Sequence, residues 1–96
     1  MADIRIHRYA VEPADYEEFV ARRETLIARM RGDHPGLVET RLIRLEDGMF
    51  VDTWRWESAE AMQKAGAAAP GYPEAAAAMS LVRERTGDDG EIVNER

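Results

Sequence analysis

The chain contains no cysteine, which excludes disulfides, thiolate nucleophiles and cysteine-ligated zinc or iron–sulfur centres. Histidine is nearly as scarce. His7 and His34 lie far apart, without acidic neighbours at ligand spacing, so no metal site is expected. Basic residues number 13 against 19 acidic ones, for a net charge of −6. That balance argues against nucleic acid and anionic membrane surfaces as partners, because both reward a basic patch. No apolar run approaches a membrane span, and the opening MADIRIHRYA lacks the apolar core of a signal peptide. A cytoplasmic location is the expectation. Ninety-six residues leave no room for a second core, so residues 1–96 read as one domain. A chain of this size hides roughly 60–65% of its unfolded surface, so further burial in an oligomer would help.

What is present alternates between strand and helix signals. Residues 3–11, DIRIHRYAV, are rich in β-branched and aromatic types and predict a strand, which Glu12-Pro13 ends. From Asp15 to Arg31, Tyr16, Phe19, Val20, Leu26, Ile27 and Met30 recur at helical spacing, with charged residues mostly outside the stripe. Gly32 stands where a C-cap is expected, and Pro35-Gly36 closes the turn. Strands follow over 37–45 and 49–57, joined by the hairpin signal Glu46-Asp47-Gly48. Ser58 is an N-cap for a helix to about Ala67. Pro73 opens another helix through EAAAAMSLVRE. Gly87-Asp88-Asp89-Gly90 reads as a turn, without calcium-loop spacing, before a final strand at 91–95.

This order predicts an α+β fold of ferredoxin-like βαββαβ type, an antiparallel sheet with helices on one face. Strand alternation sets Arg5, His7 and Tyr9 against Ile4 and Ile6, and Phe50, Asp52, Trp54 and Trp56 against Met49 and Val51. Leu37 and Ile43 oppose Val38 and Leu42. Neither face is polar enough for water and one helix layer covers only one, so the open sheet face predicts a homodimer.

The PGL turn at 35–37, the strand after it, and Trp56-Glu57-Ser58-Ala59-Glu60-Ala61 resemble the antibiotic biosynthesis monooxygenase family of dimeric α+β barrels. The resemblance runs from the first strand through Val93. It implies a pocket between sheet and helices in each subunit, with two sheets forming a barrel at the dimer interface. Members of that family include monooxygenases that oxidise anthrone-like or quinol-like aromatics with O₂ and no bound cofactor, haem-degrading enzymes, and members without an established reaction. The anthrone oxidases carry an asparagine, the tryptophan and a tyrosine at positions matching Asp52, Trp56 and Met62. Only the tryptophan is kept. The haem-degrading members use a first-strand asparagine, then a helical tryptophan and histidine, at positions matching His7, Ala65 and approximately Ala75. With both helical groups missing, no axial histidine is offered there.

Oxygenation without a cofactor needs a base or anion stabiliser beside an apolar slot for a flat ring. Asp52 shares its face with both tryptophans, where desolvation would raise its pKa. His7 titrates near neutrality and could serve instead, and Arg5 could steady a phenolate or pair with Asp52. Trp54, Trp56, Phe50, Phe19, Met62 and Tyr72 are the candidate walls. Each also has a plainer reading. Trp56 packs the sheet against the helices, Asp52 pairs with Arg5 or Arg55, His7 is a hydrogen-bonded core histidine, and Tyr72 anchors a loop. His34 sits exposed in its turn. The expected activity is a cofactor-independent monooxygenase on a small phenolic, quinol or anthrone-type aromatic. The alternative is a non-catalytic dimeric binding module. A cavity beside Asp52 favours the first, and indoles packed solid against Phe19 and Met62 favour the second.

Overall fold

A computed structural model describes residues 3–96. The elements run β1 (Asp3–Val11), α1 (Tyr16–Asp33), β2 (Leu37–Arg44), β3 (Phe50–Trp56), α2 (Ala59–Ala68), α3 (Pro73–Met79) and β4 (Val82–Glu91). The strands form one antiparallel sheet in the order β2-β3-β1-β4. The helices bury their apolar sides on one of its faces. This is the expected ferredoxin-like α+β arrangement.

Local chemistry accounts for most boundaries. Phe19, Leu26 and Met30 are the buried stripe of α1. The helix passes through Gly32, which is not its cap, and ends when the His34 N–H donates to the Met30 carbonyl at 2.7 Å. Gly48 turns the β2–β3 hairpin at φ 87°, a conformation glycine adopts without steric cost. Ser58 caps α2, its hydroxyl accepting from the Ala61 N–H at 3.1 Å. A Cβ on Gly36 would lie 3.0 Å from both the Ala61 Cβ and Glu57 Oε1, so the absence of a side chain lets the turn cross the start of α2. The Glu57 N–H donates to the Gly36 carbonyl at 2.9 Å. These contacts tie the Pro-Gly-Leu turn to the Trp-Glu-Ser segment.

Further expectations fail. The helix from Pro73 stops at Met79, and Val82–Glu91 is a single long strand paired with β1. Gly87–Gly90 is therefore strand and not turn, and the residues after Glu91 form no strand. Gly87 faces His7, where a Cβ would lie 2.6 Å from the imidazole Cδ2. The glycine serves cross-strand space. The charges around it suit an edge strand, which must discourage pairing with other chains. In β2, a register shift between Leu37 and Glu39 turns Leu37 to the helix side, opposite Trp56. Leu37 is buried there, whereas Ile43 lies exposed on the far face with Ile6.

Candidate functional site

The pairing of β1 with β3 sets Arg5 opposite Trp54, His7 opposite Asp52 and Tyr9 opposite Phe50. All six face the helices. Asp52 is 4% exposed and is held by four donors. Arg23 of α1 donates Nε to Oδ2 at 3.0 Å and Nη2 to Oδ1 at 2.8 Å. The Tyr9 hydroxyl donates to Oδ2 at 2.6 Å and Trp54 Nε1 to Oδ1 at 3.0 Å. A carboxylate has about four lone-pair directions, and here each is taken. Burial, reinforced by the adjacent Asp52 charge, pushes the Tyr9 phenol far above its ordinary pKa, so it remains a donor. Asp52 is thus the anchor of a buried network. Its partner is Arg23, not Arg5 or Arg55: Arg5 pairs with Asp89 at 2.8 Å, and Arg55 pairs with Glu95.

Beside this network lies a cavity of about 130 Å³. Its apolar wall comes from Leu26 and Met30 of α1, Trp54 and Trp56 of β3, and Ala65, Ala69, Ala75, Ala78 and Met79 of the helical segment after β3. The two indoles are tilted by 33° with centroids 6.4 Å apart. Trp56 is 3% exposed and, among the described residues, its buried indole N–H has no acceptor. Such a group is costly to bury. Outward, the cavity meets a wider cleft of about 610 Å³, with Arg5, His7, Gly66, Ala69, Ala75, Met79 and Arg85 shared between the two.

His7 stands at this junction, half-buried, with no protein hydrogen bond among the described residues. Burial lowers its pKa below the ordinary histidine value, and the Arg85 and Arg5 guanidiniums act the same way against Asp52 and Asp89. The imidazole is therefore neutral at pH 7. Among the described residues, no cluster of three or more His, Asp or Glu could hold a metal ion.

The three sequence candidates for chemistry, Arg5, His7 and Asp52, all line the cavity, as do Trp54 and Trp56. The remaining proposed walls do not. Phe19 and Phe50 are packed with Tyr9 in a separate aromatic cluster. Met62 is core. Tyr72 turns away, donating to Asp33 at 2.7 Å beneath the Arg29 guanidinium, and its hydroxyl lies 3.3 Å from His34 Nε2. His34 is accordingly half-buried rather than fully exposed. Sequence reasoning missed Arg23 and Arg85. Arg23 had a signal: it occupies the stripe Phe19, Leu26, Met30 at helical spacing, where a charge requires a buried partner. Arg85 had none, because a strand irregularity aims it.

No family model and no curated protein sequence matches the chain. Solved structures do. A single-site mutant of SnoaB, a cofactor-independent oxygenase from Streptomyces nogalater, superposes with a TM-score of 0.74 at 26% identity, covering 98% of this chain and 95% of that one. A Caulobacter crescentus CB15 protein assigned to the antibiotic biosynthesis monooxygenases gives 0.75 at 19% identity, covering 97% and 91%. A mutant of MhuD with two manganese protoporphyrin IX molecules per active site gives 0.67 at 20%, covering 98% and 97%. The strand order, the helix layer and these superpositions agree that the chain has the antibiotic biosynthesis monooxygenase-like fold.

Proposed function

We propose that the chain is a cofactor-independent monooxygenase acting on a small phenolic, quinol or anthrone-type aromatic, with His7 as the base. The observation that carries this reading is a ring-sized apolar cavity walled by two indoles with a neutral imidazole at its mouth. An apolar cavity of about 150 Å³ accepts benzene, and the space here is comparable. A larger fused system would extend into the outer cleft. His7 takes the phenolic proton, and the anion is steadied by the nearby guanidiniums. The electron-rich anion then reduces O₂. One oxygen atom enters the ring carbon as a carbonyl and the other leaves as water. The four electrons come from the substrate, so no external reductant is needed. Asp52 orients Arg23, Trp54 and Tyr9, and its role is positioning.

The similarity to SnoaB supports this reading. Haem has no part in it. Ala65 and Ala75 line the cavity, and its one histidine is His7 on a strand. The non-catalytic module is the second reading, favoured by the full occupation of Asp52 by donors. Oxygen uptake with hydroquinones and anthrones separates the two. Turnover above the uncatalysed rate in wild type, reduced at least tenfold in His7→Gln, is expected. Uptake at background for every substrate would leave only the binding module.

We also infer a homodimer through the open sheet face, where Ile6 and Ile43 remain 37% and 43% exposed. Light scattering is expected to give twice the chain mass, falling to one chain in Ile6→Lys.

A further inference from the structure

One wall of the cavity is fastened differently from the others. Residues 69–79 comprise the turn Ala69–Gly71, Tyr72 and α3, and they give the cavity Ala69, Ala75, Ala78 and Met79. They also form one lip of the outer cleft through Pro70 and Ala76, opposite a lip of His7 and Arg85 from β1 and β4. The seven residues of α3 read PEAAAAM, and only Ala78 among them is buried. Methyl groups remove little apolar surface from water, and α3 rests chiefly on α1 rather than on the sheet.

Two polar fastenings from α1 hold this segment, one at each end of α3. At the C-terminal end Arg22, itself oriented by Glu18 at 2.9 Å, donates to the Ala77 carbonyl at 2.9 Å and to Ser80 Oγ at 3.2 Å. A cation suits the free carbonyls there. At the N-terminal end the Tyr72 hydroxyl donates to Asp33 Oδ2 at 2.7 Å, and the Arg29 guanidinium lies 4.8 Å above the ring. The Tyr72 hydrogen bond, with Arg29 acting the same way, holds the Asp33 carboxyl below the usual carboxylate range, so the acceptor is ionised at pH 7.

We propose that residues 69–79 are a lid, hinged at Ser80 and latched by Tyr72 on Asp33, whose opening admits a ligand to the cavity. This rests on the cavity reading above for its purpose, but the lid is tested without a ligand, so the two fail separately. The ends of the segment differ in what holds them. Past Ser80 the chain runs into β4, where Val82 pairs with Val11 and packs on the aromatic cluster. At the other end Pro70, Gly71 and Pro73 are exposed, and a Cβ on Gly71 would meet nothing within 4 Å. Tyr72 fastens that corner to an exposed carboxylate, for which water competes. The Tyr72 end therefore releases first. Movement is also needed, because Ala65 and Ala78 in the cavity wall are 0% exposed.

The chain has no cysteine, so Ala65→Cys installs a single thiol in that closed wall. Its alkylation rate with iodoacetamide in native buffer reads the open fraction. Ala78→Cys, on the lid itself, supplies an independent thiol should replacement at 65 disturb the fold. Tyr72→Phe keeps the ring and removes the hydrogen bond. It is expected to speed labelling roughly two- to tenfold, the equilibrium equivalent of one net hydrogen bond. Asp33→Asn should accelerate it less, and Arg8→Gln, which breaks an exposed ion pair outside the lid, should leave it unchanged. The wild-type rate should depend only weakly on urea, since opening a lid exposes far less surface than unfolding. Equal labelling with and without the Tyr72 hydroxyl would overturn the lid. So would a rate that follows global unfolding in its urea dependence. No substrate enters the measurement, so either result holds whatever the oxygen-uptake assay gives.

Discussion

Two ends of one sheet face have been built in opposite ways. Around Val11 and Phe50, the side chains of Tyr9, Phe19 and Phe50 interlock, with Tyr9 and Phe19 edge to face at 5.5 Å and both fully buried. Around Arg5 and Trp56 the same α1 helix continues, but α2 and α3 bring alanine, and space remains. Large rings fill the gap between a sheet and a helix, whereas a methyl group does not reach across it. Between the two ends stands Asp52, bound to Tyr9 of the filled end and to Trp54 of the hollow one. The filled end supplies stability, and the hollow end uses some of it to keep a cavity open.

That division can be broken at the filled end first. Phe19→Ala removes a fully buried ring and is expected to lower unfolding free energy by about 3–5 kcal/mol in urea titration. A loss below about 1 kcal/mol would mean that the cluster is not the stable end. Next comes the junction. Asp52→Ala leaves Arg23, whose side chain is 11% exposed, without its partner, at a cost of about 3 kcal/mol. Adding Arg23→Met should recover the part due to the stranded guanidinium, with the Tyr9 hydroxyl and the Trp54 N–H still unpaired, which a double-mutant cycle would read.

At the hollow end a larger residue should do little harm. Ala75→Leu projects into the cavity, so thermal stability should change by less than about 1 kcal/mol while ring binding is abolished. Destabilisation comparable to Phe19→Ala would show that this end is as tightly packed as the other.

The smallest effect is a pH dependence from His7. Its folded pKa lies below the ordinary value of 6.5, mainly through burial. The unfolded chain therefore binds the proton more readily. The contribution is fully present above pH 6.5 and is lost as pH falls through 6.5 toward the lower folded pKa. Stability of wild type should decline more than that of His7→Gln on going from pH 7 to pH 5. Parallel curves would mean that the imidazole is as hydrated folded as unfolded.

Much of this architecture could be read in one dimension. The alternation of β1 and β3, the α1 stripe and the Ser58 cap are local patterns with local causes, and the ferredoxin-like order followed from them. Trp54, Trp56, Asp52 and His7 could be placed on one face because a strand's period is two. The errors share a cause as well. Gly87 and Gly90 looked like a turn, since isolated glycine signals backbone freedom, yet Gly87 clears space for a histidine far away in sequence. Leu37 and Arg85 were misplaced or missed because a bulge reverses parity at a point no side-chain pattern marks. Phe19, Phe50, Met62 and Tyr72 were assigned to the pocket because aromaticity and spacing do not say which neighbour a side chain meets.

Periodicity, capping and turn chemistry were enough for the elements and their order, since those depend on residues a few positions apart. Folding alone decided that Asp52 meets Arg23, that alanines leave a ring-sized space beside two indoles, and that Arg85 lines its mouth. Each of these depends on volume and distance between segments remote in sequence. Along β3, Asp52 and the indoles of Trp54 and Trp56 thus belong to one network and one cavity wall, with the proposed base, His7, on the neighbouring strand.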